Sequence, residues 1–334
     1  MPDIDTFRFC VAPMLDWTDR HCRYFMRLMT KRARLYTEMI TSPAILHGNR
    51  DLLLGFDASE HPVACQLGGS DPEELAKAAA IAAQYGYDEI NLNCGCPSER
   101  VQKGSFGACL MLEPELVAEC FKAVRDASGL TTTVKHRIGV DHQDEYPFVQ
   151  NFVDTLYEAG CRAFVVHVRT AFLKGLSPRQ NRDVPPLKPD YAFALKKEFP
   201  EAQFCINGGI ATLEDSKAFI ERGLDGVMVG RAAYHEPWML SRVDEVLWGD
   251  EPSGITREDV IEGMTEYLHR IAPVHENAVR NAARHTMGLM NGLPGARLWR
   301  RVLSDPAAYK EEGPEVLKAA YRAMRSAALA DDDI

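Results

Sequence analysis

From residue 89 to residue 98 the chain reads Glu89-Ile90-Asn91-Leu92-Asn93-Cys94-Gly95-Cys96-Pro97-Ser98. An apolar run that stops abruptly at Asn, Cys, Gly and Pro has the form of a buried strand delivering polar groups to a loop. Pro97 cannot extend a hydrogen-bonded ladder and Gly95 permits tight backbone, so the Cys96 thiol is expected at a mouth and not in a core. Free cysteine is also among the most buried residue types, so two small core thiols fit this segment equally well. Cys-x-Cys can chelate a metal, and Cys109 and Cys120 follow. With no paired Cys-x-x-Cys units and no His-x-x-x-His, no zinc or iron–sulfur site is expected.

Two glycine-rich turns carry a second kind of chemistry. Asn207-Gly208-Gly209-Ile210-Ala211-Thr212 runs into a helical segment, and Gly230-Arg231 follows another apolar strand. Backbone N–H groups in such turns, a helix N-terminus and a guanidinium together suit a phosphate. Either turn alone could be only a tight turn. The pair, at the positions where barrels bind phosphate, points to a phosphorylated ligand. Lys135 and His167 end neighbouring strands at the same mouth. A lysine over the pyrimidine edge of a flavin would stabilise negative charge arising on reduction. The rivals for Lys135 are an interior ion pair and a Schiff-base lysine. No Gly-x-Gly-x-x-Gly follows a strand, so a nicotinamide would visit and leave.

The elements that must position these groups recur as strand, loop and helix. Strands are expected at residues 9–12, 35–38, 63–67, 89–92, 132–137, 163–167, 203–207 and 226–229, short and rich in β-branched or aromatic residues. One helix is expected to open at Asp71-Pro72-Glu73-Glu74, with Leu75, Ala79 and Ala82 along its apolar stripe, and others at 113–127, 144–159 and 212–222. Alternation in this number predicts an α/β fold, a (β/α)₈ TIM barrel; a doubly wound sheet is the alternative. In a barrel the polar residues should gather after the strands. They do: Pro13-Met14 and Asp16, Gln66, Asn93 to Cys96, Lys135 and His136 on the fifth strand, His167 and Arg169, Asn207 to Gly209, and Gly230-Arg231. After Pro237-Trp238 only helices are expected, at 257–272, 275–290, 296–303 and 315–329. The chain is thus read as a catalytic barrel over residues 1–245 and a small all-α C-terminal domain over 246–334.

At 334 residues the chain exceeds one barrel of about 250 residues. Its composition, 46% hydrophobic and 26% charged, is that of a globular protein, and no apolar run approaches the ~20 residues a membrane helix needs. An acidic N-terminus unlike a signal peptide and nine cysteines off framework spacings indicate a reducing cytoplasm, and a monomer is expected. The net charge of −10 argues mildly against an anionic polymer, although a local basic patch decides contact.

The chain resembles the tRNA-dihydrouridine synthases, their subgroup A above all, over nearly its whole length. The resemblance rests on Ala12-Pro13-Met14-Leu15-Asp16-Trp17-Thr18-Asp19, Leu92-Asn93-Cys94-Gly95-Cys96-Pro97-Ser98, Val134-Lys135-His136-Arg137 and Val166-His167-Val168-Arg169. It continues with Gly175-Leu176-Ser177-Pro178, Asn181-Arg182, Pro185-Pro186-Leu187, Asn207-Gly208-Gly209 and Gly230-Arg231. The resemblance implies FMN, NADPH as electron donor, and reduction of the uracil C5–C6 bond at uridines 20 and 20a of the tRNA D-loop. It implies that Ala12, Pro13, Met14, Gln66, Lys135, His167, Asn207, Gly208, Gly209, Gly230 and Arg231 hold FMN. Cys96 would be the proton donor and Asn93 would bond the uracil. A thiol of ordinary pKa ~8.5 is mostly protonated at neutral pH and needs no tuning to act as an acid.

An RNA substrate also makes sense of two basic stretches. Residues 277–304 contain no acid but carry Arg280, Arg284, Arg297, Arg300 and Arg301; Arg169, Lys174, Arg179, Arg182 and Lys188 face only Asp183. Arg179 and Arg182, and Arg297 and Arg300, share a three-residue spacing and are expected to orient the tRNA. The alternatives are a flavin barrel acting on a free pyrimidine (dihydroorotate dehydrogenase-like), a Schiff-base lyase using Lys135, and a non-catalytic RNA-binding module.

Overall fold

The computed structural model describes residues 7–98, 101–102, 104–274 and 277–332, with side chains as far as residue 326. Eight strands are paired in parallel in the order β1-β8-β7-β6-β5-β4-β3-β2. They are β1 (Phe9–Val11), β2 (Leu35–Thr41), β3 (Val63–Gly68), β4 (Glu89–Cys94), β5 (Thr131–Arg137), β6 (Ala163–His167), β7 (Gln203–Asn207) and β8 (Gly226–Val229). A parallel bridge between Cys10 and Arg34 joins β1 to β2 and closes the ring. Val11 N–H donates to the Arg34 carbonyl at 2.9 Å and Arg34 N–H to that of Phe9 at 2.9 Å. Closure excludes the doubly wound alternative, whose sheet has two free edges.

Two strands run further than the sequence suggests. β2 continues through Met39, Ile40 and Thr41, which pair with Gln66, Leu67 and Gly68 after a register shift. β4 includes Asn93 and Cys94, paired with Lys135 and His136, so the polar residues begin inside the strand and not after it. Asparagine has low strand propensity; hydrogen bonds to its side chain override that preference here.

Side chains two apart on a strand face the same way. In the barrel interior Cys10, Ala12, Ala64, Ala163, Val165, Cys205 and Met228 pack together. β3, β4 and β5 also contribute buried Gln66, Glu89, Asn91 and Thr133. The interior is therefore partly apolar and partly hydrogen-bonded. Outside it, helix Pro72–Ala83 starts where expected, with the Asp71 carboxylate accepting from Glu74 N–H and Pro72 in the first turn. Helices Pro114–Ser128, Tyr146–Glu158 and Leu213–Glu221 lie within two residues of their expected positions.

The chain divides into two compact units, residues 1–18 with 32–230, and residues 19–31 with 231–334. The second unit takes in residues 19–31 and 231–245, which the sequence reading placed with the barrel. Helix Arg20–Arg27 explains part of this. Its cap Asp19 bonds His285 and Arg284, His21 Nδ1 lies 2.7 Å from the Tyr267 hydroxyl, and Tyr24 stacks on Tyr267. The other helices of this unit include Arg257–Ile271, Ala278–Ala283, Ala296–Leu303, Pro306–Glu312 and Val316–Asp332. Residues 284–286 tighten into a 3₁₀ turn, so the expected helix over 275–290 is shorter; residues 275 and 276 lie outside the described chain. Among the described residues no helix is long and apolar enough to cross a membrane.

Candidate active site

The Cys96 loop is tied down on four sides. Asn93 Oδ1 accepts from the N–H groups of Gly95 and Cys96, both at 3.0 Å. Arg137 Nε donates to the Gly95 carbonyl at 3.1 Å, and Gln102 Nε2 to that of Pro97 at 2.7 Å. Ala108 N–H donates to the Cys96 carbonyl at 2.9 Å. Gly107 allows this approach, because its φ is +78° and a Cβ there would stand 2.5 Å from that carbonyl oxygen. The Cys96 thiol is half-buried, 3.5 Å from the Ser98 hydroxyl. Cys94 is buried, and burial pushes its thiol far above the usual range, as expected of a structural cysteine.

Sequence reasoning missed Arg137. Its guanidinium is 4% exposed, and its partners are carbonyls: Gly95, Asn181 at 3.0 Å and Thr170 at 3.4 Å. Burial, then the neighbouring Arg182 and Arg169, pulls it down to about 9. Asn181 is itself buried and braces the loop after β6 by accepting from Phe172 N–H at 2.7 Å and donating to the Phe172 carbonyl at 2.9 Å. Val134-Lys135-His136-Arg137 held the signal, an arginine two residues beyond the inward-facing lysine.

On β5 Lys135 donates to Asn207 Oδ1 at 3.1 Å, and Asn207 donates in turn to the Met228 carbonyl at 2.8 Å. Burial, then the charge of Arg137, lowers Lys135 to about 7. His167 ends β6, 8% exposed, and its Nδ1 has no hydrogen-bond partner. Burial pushes the imidazole well below its ordinary value, and Arg137, Lys135, Arg169 and Arg182 add to that. All four are cations, so this part of the mouth favours a negative ligand. Gly208 and Gly209 have φ of +115° and +75°, and a Cβ at Gly208 would stand 3.1 Å from the His167 ring. Ala12 and Met14 line the side of Gly230, 3.5 Å from the place of an added Cβ. Pro13 lies between them in sequence, and Thr18 Oγ1 fixes this turn by accepting from Met14 N–H at 2.9 Å.

The helix after the β7 turn is less suited to an anion than the sequence suggests. Thr212 already caps Asp215 N–H, and Glu214 and Asp215 occupy the first turn. An anion at that turn would meet the glycine amides and not the helix end.

Gln66 and Asn93 address each other: Asn93 Nδ2 donates to Gln66 Oε1 at 2.8 Å. The structure thus brings together Cys96, Asn93 and Gln66 in one set, and Lys135, Asn207, His167 and Gly208 in another. Arg179 and Arg182 are exposed on the loop after β6. Lys188, from the same stretch, is committed to Asp144 at 2.7 Å. Arg231, Arg297 and Arg300 belong to the second unit. Arg297 is exposed, whereas Arg300 donates to Asn291 Oδ1 at 2.7 Å; Arg284 is paired with Asp19 at 3.0 Å.

A closed (β/α)₈ barrel with a cationic mouth, left-handed glycine turns and a thiol on a braced loop has the form of a barrel enzyme suited to an anionic ligand. The comparisons with known proteins narrow that class. A family model described as dihydrouridine synthase matches residues 10–325. A tRNA-dihydrouridine(20/20a) synthase of Shewanella oneidensis is 52% identical over 318 residues, covering 95% of this chain and 94% of its own. Proteins of the same description from Pseudomonas syringae pv. tomato (50% identical, 93% and 91% covered) and Salmonella typhimurium (49%, 96% and 96%) are similarly close. The chain belongs to the dihydrouridine synthase family of oxidoreductases.

Proposed function

We propose that this chain reduces the C5–C6 bond of uridines 20 and 20a in the tRNA D-loop to 5,6-dihydrouridine, with FMN as bound cofactor and NADPH as electron donor. The observation that carries the reading is the braced Cys96 thiol at the same barrel mouth as Lys135 and the unpartnered Nδ1 of His167. FMN fits these residues. The unpartnered Nδ1 of His167 and the amides of Gly208 and Gly209 are free to meet an anionic, hydrogen-bonding ligand. Lys135 has only an amide oxygen for a partner and gains charge stabilisation from one. Ala12, Pro13, Met14, Gln66, Asn207, Gly230 and Arg231 complete the proposed set.

When bound, the flavin supplies the hydride that adds to C6 of the uracil. Cys96 would give its S–H proton to C5, and solvent would later restore it. The thiolate left after transfer lies within the field of Lys135 and Arg137. Asn93 has both Oδ1 lone pairs and one Nδ2 hydrogen committed to protein, so it can offer a base only its second Nδ2 hydrogen. A carbonyl oxygen of uracil accepts that hydrogen; the amino group of cytosine does not.

The base must leave its stack, which costs about a few kcal/mol and requires RNA contacts elsewhere. We assign Arg179, Arg182, Arg297 and Arg300 to phosphates, Arg300 through the donors that Asn291 leaves unused. Catalysis is assigned to the barrel and tRNA binding to the helices of 246–334. Nine free thiols accord with a reducing cytoplasm, and the enzyme is proposed to work there as a monomer. Incubating purified holoenzyme with NADPH and unmodified tRNA, then mapping dihydrouridine by mass spectrometry, tests the reading. Dihydrouridine at 20 and 20a is expected; its absence, or turnover of a free pyrimidine instead, contradicts it.

A further inference from the structure

A column of buried polar side chains crosses the barrel interior from Glu89 to the Cys96 loop. The Glu89 carboxylate pairs with Arg34 and accepts from the hydroxyls of Tyr36 and Thr133. Thr133 Oγ1 accepts from Asn91 Nδ2 at 2.7 Å, and Asn91 Oδ1 accepts from Gln66 Nε2 at 2.8 Å. Gln66 Oε1 accepts from Asn93 Nδ2 at 2.8 Å, and Asn93 Oδ1 accepts the two loop N–H groups. Glu89, Asn91 and Thr133 are each fully buried.

Every link has one direction, and the lower end sets it. A carboxylate engaged by Arg34 and Tyr36 can only accept, so the Thr133 hydroxyl donates downward and takes its upper bond as an acceptor. Asn91 must then point its NH₂ at Thr133 and its oxygen at Gln66. Gln66 must present NH₂ to Asn91 and oxygen to Asn93. Asn93 is left with its oxygen toward the Gly95 and Cys96 amides. If any member turned over, like groups would face each other in a buried site, which is costly there.

We infer that Thr133 and Asn91 are positioning residues, which act through Gln66 and Asn93 to fix where Cys96 stands and which group Asn93 offers the base. The inference rests on the reading of Cys96 as proton donor. A misplacement of about 1 Å at a reacting group costs on the order of 10²-fold in rate, so loosening the column should be visible in the chemical step.

The test compares Thr133→Val, close in shape but without the hydroxyl, with Thr133→Ser, which retains it. Holoenzyme is reduced with NADPH under anaerobic conditions and mixed with tRNA, and flavin reoxidation is followed. Thr133→Val should reoxidise roughly 10- to 100-fold more slowly, with flavin content and the rate of reduction by NADPH within about twofold of the parent. Thr133→Ser should recover to within about threefold. Alkylation of Cys96 by iodoacetamide, read by mass spectrometry without substrate, should be faster in Thr133→Val and unchanged in Thr133→Ser. Reoxidation of Thr133→Val at the parental rate, equal slowing of both half-reactions, or no recovery in Thr133→Ser overturns the inference.

Cys96→Ala is run alongside. If it reoxidises normally, the proton-donor reading is at fault; if it is inactive while Thr133→Val is normal, only the positioning role falls. Should Thr133→Val not fold, Asn91→Ser is measured for the same split. If neither folds, the column serves stability alone and the inference is wrong.

Discussion

Lys135 faces the barrel mouth with one amide oxygen for a partner and a pKa lowered to about 7 from its ordinary 10.5. Between those values the unfolded chain binds a proton that the folded, ligand-free chain does not, so ligand-free stability rises with pH across that window. An anion placed beside Lys135 raises its pKa, and binding then takes up a proton. Affinity for FMN should therefore be flat below about pH 7 and fall above it. His167 is already neutral throughout this range. Titrating apoprotein with FMN at several pH values checks this: Lys135→Met should bind more weakly and lose the slope that begins near 7, whereas an unchanged slope would contradict the assignment. Cys96 could be placed at a mouth from the sequence because Gly95 and Pro97 break an apolar run there, and Lys135 and His167 because they fall on the expected fifth and sixth strands. Arg137, Asn181, Asn91 and Thr133 were not. Arg137 meets the Gly95, Thr170 and Asn181 carbonyls, and Asn91 and Thr133 meet Gln66 and Glu89, partners that only the fold brings near and no local pattern encodes.

At the scale of the element, the approach of Gly107 to the Cys96 carbonyl depends on backbone that few residues can adopt. Gly107→Ala would place a methyl group 2.4 Å from Val101 Cγ1 and 2.5 Å from the Cys96 carbonyl oxygen, at a φ of +78°. A loss of about 1–3 kcal/mol is expected, measured by urea unfolding, with slower dihydrouridine formation and unchanged FMN content. Wild-type stability and activity would show that the loop can shift freely. The strands were legible because short β-branched runs bounded by turn residues rarely mean anything else. What escaped was the continuation of β2 and β4 through polar residues, where the partner strand, not propensity, decides. The helix Pro306–Glu312 was missed although Asp305 and Pro306 supply a capping residue and a first-position proline. Residues 19–31 were assigned with the barrel because only distant partners, Asp244, Tyr267 and His285, reveal the unit to which they belong.

For the whole molecule the charge balance sets the next expectation. A chain of net charge −10 binds tRNA only through local patches, and Arg179, Arg182, Arg280, Arg297 and Arg301 are exposed to serve. If about six phosphates are engaged, affinity should fall on the order of 10³-fold between 50 and 200 mM salt. Arg179→Ala combined with Arg297→Ala should lower the slope of log affinity against log salt by about two. Filter binding across a salt series measures both, and a flat dependence would remove RNA phosphates from the account. The claim on which the rest stands is that Cys96 protonates the base. The most direct measurement is a two-stage assay of Cys96→Ala holoenzyme: flavin reduction by NADPH, then reoxidation by tRNA with the dihydrouridine counted. Parental reduction with no dihydrouridine formed is the predicted result; dihydrouridine formed at the parental rate would contradict it.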